Sequence, residues 1–207
     1  MSSELNSNQL VEGLIESMKY LDGLGLMPSL TGNASLRLSE DTILITPSGV
    51  RKSELIPSKM VKLKLDGSVV GGGKPSSEYR LHLQVYRKLP QVNVIIHCHP
   101  LYSLILANLG ITVDVNLYPE GIECFKISSG ESSHISIIGP IEAGTWELAE
   151  AVTEQFESGA RIVLIRKHGL VIWDEEDPMR CAYRVEVYER LANITYHELI
   201  LRANLNL

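Results

Sequence analysis

Two histidines separated by one residue, His97 and His99, interrupt the apolar stretch VIIHCHPLYSLILA at residues 94–107. The stretch predicts a strand, in which residues i and i+2 point to the same face. A third histidine, His168, follows the apolar segment RIVLIRK and precedes Gly169, whose freedom predicts a tight turn. Three imidazoles around an open fourth position are the usual ligands of catalytic zinc, and nitrogen ligands also suit other divalent transition metals. The alternative is three histidines packed within a core.

Glu78 follows two serines in the segment KPSSEYR, at the predicted start of a helix whose N-cap we expect to be Ser76 or Ser77. Backbone N–H groups at a helix start and serine hydroxyls can hold a phosphate without a basic surface. TGNAS at 31–35 and TPSG at 46–49 are turns of the same polar kind, next to predicted strands. Residues of these types also dominate ordinary turns, so each segment alone is weak evidence.

The remaining histidines are not expected to take part in a metal site. His82 lies on the helix after KPSSE, where packing or a hydrogen bond to the loop is the favoured role. His134 falls in a polar loop and His197 on the last helix, so both are expected at the surface.

Hydrophobic periodicity predicts the elements that position these residues. Helices are expected from residue 8 to the glycines at 23 and 25, after KPSSE, and at 100–108, 141–158 and 177–203. Strands are expected in NASLRL, DTILIT and MVKLKL, around His97, on both sides of His168–Gly169, and as short pieces within 111–140. The short connections favour a largely antiparallel sheet in a single mixed domain over residues 1–207.

Composition narrows the function classes. The chain has 207 residues, 44% hydrophobic and 21% charged, with a formal net charge of -6. Such a surface attracts neither nucleic acid nor an anionic membrane, so an anionic ligand must be held by local groups. The three cysteines form no CxxC pair, and the N-terminal segment lacks the basic start and apolar core of a signal peptide. Reduced thiols and a cytoplasmic location are therefore expected, and no apolar run approaches the ~20 residues of a membrane span.

Five motifs in order, TGNAS, ITPSG, KPSSE, HCH and KHGL, resemble those of the class II aldolase/adducin family from the first helix to the last. The resemblance implies an α/β fold, a three-layer αβα domain with a central, largely antiparallel sheet. It also implies a homotetramer with active sites shared between subunits. One zinc ion per subunit would be bound by three histidines: His97, His99 and His168.

The resemblance also implies roles for the polar residues. Glu78 would be the general acid/base. Tyr118, placed by counting from the HxH pair without gaps, would donate a proton to the active site of a neighbouring subunit. The phosphate of a sugar phosphate would be held by five residues: Asn33, Ser48, Gly49, Ser76 and Ser77.

The implied reaction is reversible cleavage of a ketose 1-phosphate, of the L-fuculose 1-phosphate type, to dihydroxyacetone phosphate and an aldehyde. Two rival reactions of the family stay open, dehydration of methylthioribulose 1-phosphate and 4-epimerisation of a ribulose phosphate. Those dehydratases typically have alanine where this chain has Ser77, and the epimerases aspartate where it has Glu78, which favours the aldolase. A remote alternative is a scaffold domain stabilised by zinc, but structural zinc sites usually close all four positions with protein ligands.

Overall fold

The computed structural model describes residues 7–125 and 134–205. Its centre is an eight-stranded sheet with the order β4-β3-β2-β1-β5-β8-β7-β6. Every neighbouring pair in that sheet is antiparallel except β6 and β7. The strands are β1 Asn33–Arg37, β2 Thr42–Ile45, β3 Val61–Lys64, β4 Val69–Gly71, β5 Val94–Cys98, β6 His134–Ile138, β7 Ala160–Ile165 and β8 Gly169–Asp174. The largely antiparallel sheet predicted from the sequence is confirmed.

Helices cover both faces of the sheet, which confirms the three-layer αβα arrangement. The helices are α1 Ser7–Gly23, α2 Tyr79–Lys88, α3 Leu101–Asn108, α4 Pro119–Phe125, α5 Trp146–Glu157 and α6 Pro178–Leu205. Helices α2 and α5 enclose one hydrophobic core against the sheet, and α1, α3, α4 and α6 enclose the other. None of the helices in the described ranges combines the length and apolar character that a membrane span needs.

Alternation along β1 and β5 sends different side chains to the two cores. Ala34 and Leu36 of β1 face the core beneath α1 and α6, whereas Asn33 and Ser35 face α2. Cys98 of β5 is buried in the same core as Ala34, on the face opposite to His97. The apolar residues at alternate positions of each strand therefore pack in the core, and the polar residues between them face α2, where they can form a site.

The expectation of short strands throughout 111–140 is partly wrong. Residues 119–125 form helix α4, while β6 is the only strand of this region within the described residues. Helix α4 packs closely at Gly121, where a Cβ would meet the Val115 carbonyl oxygen and would lie 2.9 Å from Leu191 of α6. His134 begins β6 and is exposed, so its surface position is confirmed but its loop position is not. Residues 126–133 lie outside the described ranges.

Candidate active site

The three predicted histidines converge at one end of the sheet. His97 is in β5, His99 follows it, and His168 stands in the turn between β7 and β8, next to β5. Nε2 of His99 lies 3.1 Å from Nε2 of His97, and the ring centroids of His97 and His168 are 4.8 Å apart. One nitrogen from each ring lies within 4.8 Å of the other two, so the cluster has the dimensions of a metal site. The shared face of His97 and His99 is confirmed.

The turn that carries His168 is held by the neighbouring helix. Lys167 has a φ of 60°, and its backbone N–H donates to Oδ1 of Asn108, at the end of α3, over 2.7 Å. The left-handed residue of this turn is therefore Lys167, and the sequence-based reason for Gly169 was wrong. Gly169 is needed for space, because a Cβ there would lie 2.6 Å from Cε1 of His97 and 2.6 Å from the Cys98 carbonyl oxygen.

The imidazoles are oriented so that they can bind a cation. Nδ1 of His97 is 3.0 Å from the Leu170 carbonyl oxygen, which can only accept, so Nδ1 carries a proton and Nε2 is the nitrogen available to a cation. Burial, and then the neighbouring His97 and His168, lower the pKa of His99 to about 3. His99 is therefore uncharged at neutral pH, as a metal ligand must be. These residues fit a divalent transition metal.

Glu78 stands directly beside the histidine cluster. Its Oε2 lies 3.1 Å from Nε2 of His97 and accepts a hydrogen bond from Nδ2 of Asn33 over 3.0 Å. Its Oε1 lies 3.0 Å from Nε2 of His168, in a geometry that makes no hydrogen bond. Burial raises the pKa of Glu78, but the opposing effects of His97 and His168 are larger and leave it well below its usual value. The side chain is 11% exposed and is held as a carboxylate that can accept a proton.

The start of α2 differs from the sequence-based expectation. Glu78 itself occupies the N-cap position, with φ −97° and ψ 16°, and makes no side-chain capping bond, so the predicted serine N-cap is wrong. Ser76 acts one step earlier, and its Oγ accepts from the backbone N–H of Glu78 over 3.3 Å. The Glu78 carboxylate at this helix start therefore points towards the histidines instead of capping the helix.

Backbone hydrogen bonds join the polar turns to each other. The N–H of Ser48 donates to the Lys74 carbonyl over 2.9 Å, and the N–H of Ser76 donates to the Thr46 carbonyl over 3.0 Å. The resulting cleft, of about 460 Å³, opens beside the histidine cluster. The sequence-predicted residues that line it are Asn33, Ser48, Gly49, Ser76, Ser77, Glu78, His99 and His168. His97 adjoins it through its contacts with Glu78 and His99.

A family model described as "Class II Aldolase and Adducin N-terminal domain" matches residues 12–196. The chain belongs to the class II aldolase and adducin family. It is 33% identical to methylthioribulose-1-phosphate dehydratase of Acidiphilium cryptum over 176 residues, covering 83% of this chain and 82% of the relative. It is also 33% identical to L-fuculose phosphate aldolase of Methanocaldococcus jannaschii over 184 residues, covering 89% and 91%.

The fold agrees with this assignment. The crystal structure of L-fuculose-1-phosphate aldolase from Thermus thermophilus superimposes with a TM-score of 0.78 at 25% identity, covering 94% of this chain and 96% of that one. This member of the class II aldolase family is therefore an enzyme, and family members act on sugar phosphates. Its three-histidine cluster agrees with the metal dependence that is typical of the family.

Lys52 lines the cleft and was missed by sequence reasoning. It is only 2% exposed, and its Nζ donates to the carbonyls of Leu30, over 3.2 Å, and Val50, over 3.3 Å. It is the single lysine or arginine among the cleft-lining residues of the described ranges. An ammonium has three N–H donors, and these carbonyls use two of them. The one feature of the sequence that could have indicated a role for Lys52 in the cleft is its position three residues after TPSG.

Tyr118 is not among the residues that line this class II aldolase cleft. Its hydroxyl donates to Oε1 of Glu198, on α6, over 3.1 Å, and the ring packs at the margin of the core beneath α6. A role for Tyr118 at the site of a neighbouring subunit stays a prediction. His82, by contrast, is buried, which agrees with the predicted packing role, but its Nε2 lies 2.5 Å from Oδ1 of Asn33 in β1 and not against the loop before α2. His197 is exposed on α6, as expected.

Proposed function

We propose that the protein is a zinc-dependent aldolase that reversibly cleaves a ketose 1-phosphate, of the L-fuculose 1-phosphate type, to dihydroxyacetone phosphate and an aldehyde. One observation carries the proposal: the buried carboxylate of Glu78 lies against two imidazoles of the histidine cluster and borders a cleft lined by polar turns. On this proposal the proton-transfer group, the metal ligands and the phosphate-binding residues would all lie next to one another.

His97, His99 and His168 would hold the zinc ion. Bound there, zinc would supply Lewis-acid stabilisation of the negative charge that develops on the ketose oxygens. Glu78 would remove and return the proton at the hydroxyl-bearing carbon next to the ketone, a task for a carboxylate that is fixed and mostly shielded from water. A neighbouring subunit's Tyr118 would handle the proton of the aldehyde oxygen, in the homotetramer that the family resemblance implies.

The phosphate would lie at the end of the cleft formed by the three polar turns. The proposed ligands are Asn33, Ser48, Gly49, Ser76 and Ser77, joined by Lys52. The N–H groups of Ser48 and Ser76 already donate to carbonyls, so the serine hydroxyls and the remaining N–H groups would supply the directional donors. The Lys52 ammonium would supply the charge that a net acidic surface lacks. Binding the non-reacting end of the substrate would fix the distance between the reacting carbon and Glu78.

Dehydration of methylthioribulose 1-phosphate is the second candidate, because the chain is 33% identical to an enzyme with that name. Both reactions pass through negative charge on the oxygens at carbons 2 and 3 of a ketose 1-phosphate. In the aldolase this charge develops as the bond between carbons 3 and 4 breaks, and in the dehydratase it develops when the proton on carbon 3 is removed. They differ at carbon 4, where the aldolase breaks a carbon–carbon bond and the dehydratase expels hydroxide as water. Ser77, where those dehydratases typically have alanine, favours the aldolase.

A product assay separates the two. Zinc-loaded protein is incubated separately with L-fuculose 1-phosphate and with 5-methylthioribulose 1-phosphate. Dihydroxyacetone phosphate is measured by coupled reduction, and the remaining sugar phosphate by mass spectrometry. An aldolase releases dihydroxyacetone phosphate from at least one of them. A product lighter by one water, with no dihydroxyacetone phosphate, would replace the proposal with the dehydratase. A protein inert towards both ketoses would contradict both.

A further inference from the structure

A buried chain of hydrogen bonds leads from Glu78 into the layer between β1 and α2. Asn33 Nδ2 contacts Oε2 of Glu78 at 3.0 Å, and Asn33 Oδ1 contacts Nε2 of His82 at 2.5 Å. Nδ1 of His82 contacts Oγ of Ser35 at 2.6 Å, and that oxygen contacts the Tyr86 hydroxyl at 2.9 Å. All five residues are less than 9% exposed. Water therefore competes little for these bonds.

The ionised carboxylate fixes the direction of the hydrogen bonds from Glu78 through Asn33 and His82 to Ser35. Glu78 can only accept, so the amide nitrogen of Asn33 must face it and the amide oxygen must face His82. His82 must then donate from Nε2. Burial, followed by the effect of His97, lowers the pKa of His82 to about 3, so the ring carries one proton at neutral pH and Nδ1 accepts from Ser35. The Ser35 oxygen is also 2.9 Å from the Tyr86 hydroxyl, which lies 3.3 Å from the Asn93 carbonyl oxygen as well.

We propose that His82 is a positioning residue that locks the amide of Asn33 and thereby orients Asn33 towards both Glu78 and the bound phosphate. This inference rests on the function proposed above. One N–H of the Asn33 amide donates to Glu78, and the other is left for the cleft that Asn33 lines. Without the His82 donor, the buried Oδ1 of Asn33 has no partner, which is costly for an amide carbonyl. The side chain would then turn away from the position in which one N–H reaches Glu78 and the other faces the cleft, and the phosphate would lose a donor.

Two substitutions at His82 separate this role from simple packing. In His82→Gln the amide reaches the position of Nε2, so it can still donate to Asn33 but loses Ser35. In His82→Asn the amide reaches only the position of Nδ1, so it can still accept from Ser35 but loses Asn33. Both variants remove one of two buried hydrogen bonds, and equilibrium unfolding checks that their stabilities are comparable.

We expect His82→Gln to keep kcat and the affinity for inorganic phosphate close to those of the wild type. His82→Asn should lower kcat, and weaken phosphate binding measured by calorimetry, each by about tenfold or more, the usual effect of losing a residue that orients a site group. In an Asn33→Ala background, His82→Asn should add little further loss, because the two residues act in series. Equal damage from Gln and Asn at equal stability, or additive losses, would overturn the proposal.

The tautomer gives a readout that needs no turnover. Imidazole ¹⁵N NMR of the metal-free wild type should show the His82 proton on Nε2, and a proton on Nδ1 would refute the chain of donors. If the wild type turns over no ketose phosphate, the proposed function fails. The ¹⁵N spectrum and the phosphate titration of the same protein would still decide the role of His82.

Discussion

Gly169 and His97 are in direct contact across β8 and β5, with room for a hydrogen atom on Gly169 and for nothing larger. A Cβ on Gly169 would lie 2.6 Å from Cε1 of His97 and 3.2 Å from Cδ2 of His99. The backbone of β8 at Gly169 therefore packs directly against the ring of His97. The orientation of this ring depends on that contact as well as on the hydrogen bond from Nδ1 to the Leu170 carbonyl.

Gly169→Ala should weaken metal binding without altering any ligand. The added methyl must push the His97 ring or the Cys98 backbone away, an overpacking that typically costs about 1–3 kcal/mol. We expect less than one zinc per chain by elemental analysis after dialysis against dilute chelator, and a lower unfolding temperature. Gly73→Ala is the matched control, because nothing lies within 4 Å of the new methyl. Full zinc occupancy in Gly169→Ala would show that this contact does not position His97.

Lys52→Met should weaken phosphate binding. It removes the cleft's buried cation, and a charge-assisted hydrogen bond is worth about 1.5–3 kcal/mol, or roughly ten- to a hundredfold in affinity. Isothermal titration with inorganic phosphate measures the loss, and zinc content should not change. Lys59→Met, at an exposed lysine of the next turn, is the control. Lys52→Arg keeps the charge and should lose less than Lys52→Met. Equal affinity in Lys52→Met and the wild type would remove Lys52 from the anion site.

The metal-binding end of the site could be predicted because its geometry follows from local rules. Alternation along a strand places His97 and His99 on one face, and the same rule sends Cys98 to the opposite core. Apolar periodicity likewise identified most strands and helices. Helix α4 was missed because its 7 residues are too few to show a period, and packing against α6 decides its conformation.

The rest of the site depends on contacts between distant parts of the chain. The sequence around Lys52 is that of a solvated polar turn, but in the fold the Lys52 ammonium donates to the carbonyl of Leu30, 22 positions away. For His82 the sequence indicates packing or a bond to a nearby loop, but its acceptor is Asn33, 49 positions away. Gly169 was assigned to a turn that Lys167 makes instead. Spacing alone indicates which residues can share a face, but not which loops fold over them.

Acid should destabilise the metal-free protein partly through His82. Burial and the nearby His97 lower the pKa of His82 to about 3, whereas an unfolded histidine titrates near 6.5. The folded state therefore binds fewer protons between these values, and stability falls as the pH drops below about 6.5. From near pH 7 to near pH 5 the wild type should lose about 2 kcal/mol more than His82→Gln in urea unfolding. Equal losses would mean that His82 is protonated in the folded protein.

Mixed subunits test the shared active site. Tyr118→Phe and Glu78→Gln should each lower aldolase activity. If Tyr118 serves a neighbour's site, a tetramer formed from both variants contains some sites with an intact Glu78 and an intact partner Tyr118. Unfolding and refolding the two variants together should then restore part of the wild-type rate. Each variant refolded alone is the control. Mixtures no more active than their parents would contradict a shared site or the assignment of Tyr118.

Proton exchange separates Glu78 as a proton-transfer group from Glu78 as a structural anion. An aldolase of this kind must remove a proton from the hydroxyl-bearing carbon of dihydroxyacetone phosphate, even with no aldehyde present. In deuterated water the zinc-loaded wild type should therefore exchange one hydrogen of that carbon, followed by proton NMR. Glu78→Gln keeps the size of the side chain and the three histidines, so it should retain zinc yet exchange at least ~100-fold more slowly, the lower range of general-base effects. Exchange at the wild-type rate in zinc-loaded Glu78→Gln would assign the proton transfer to another group, and no exchange by the wild type would favour the dehydratase.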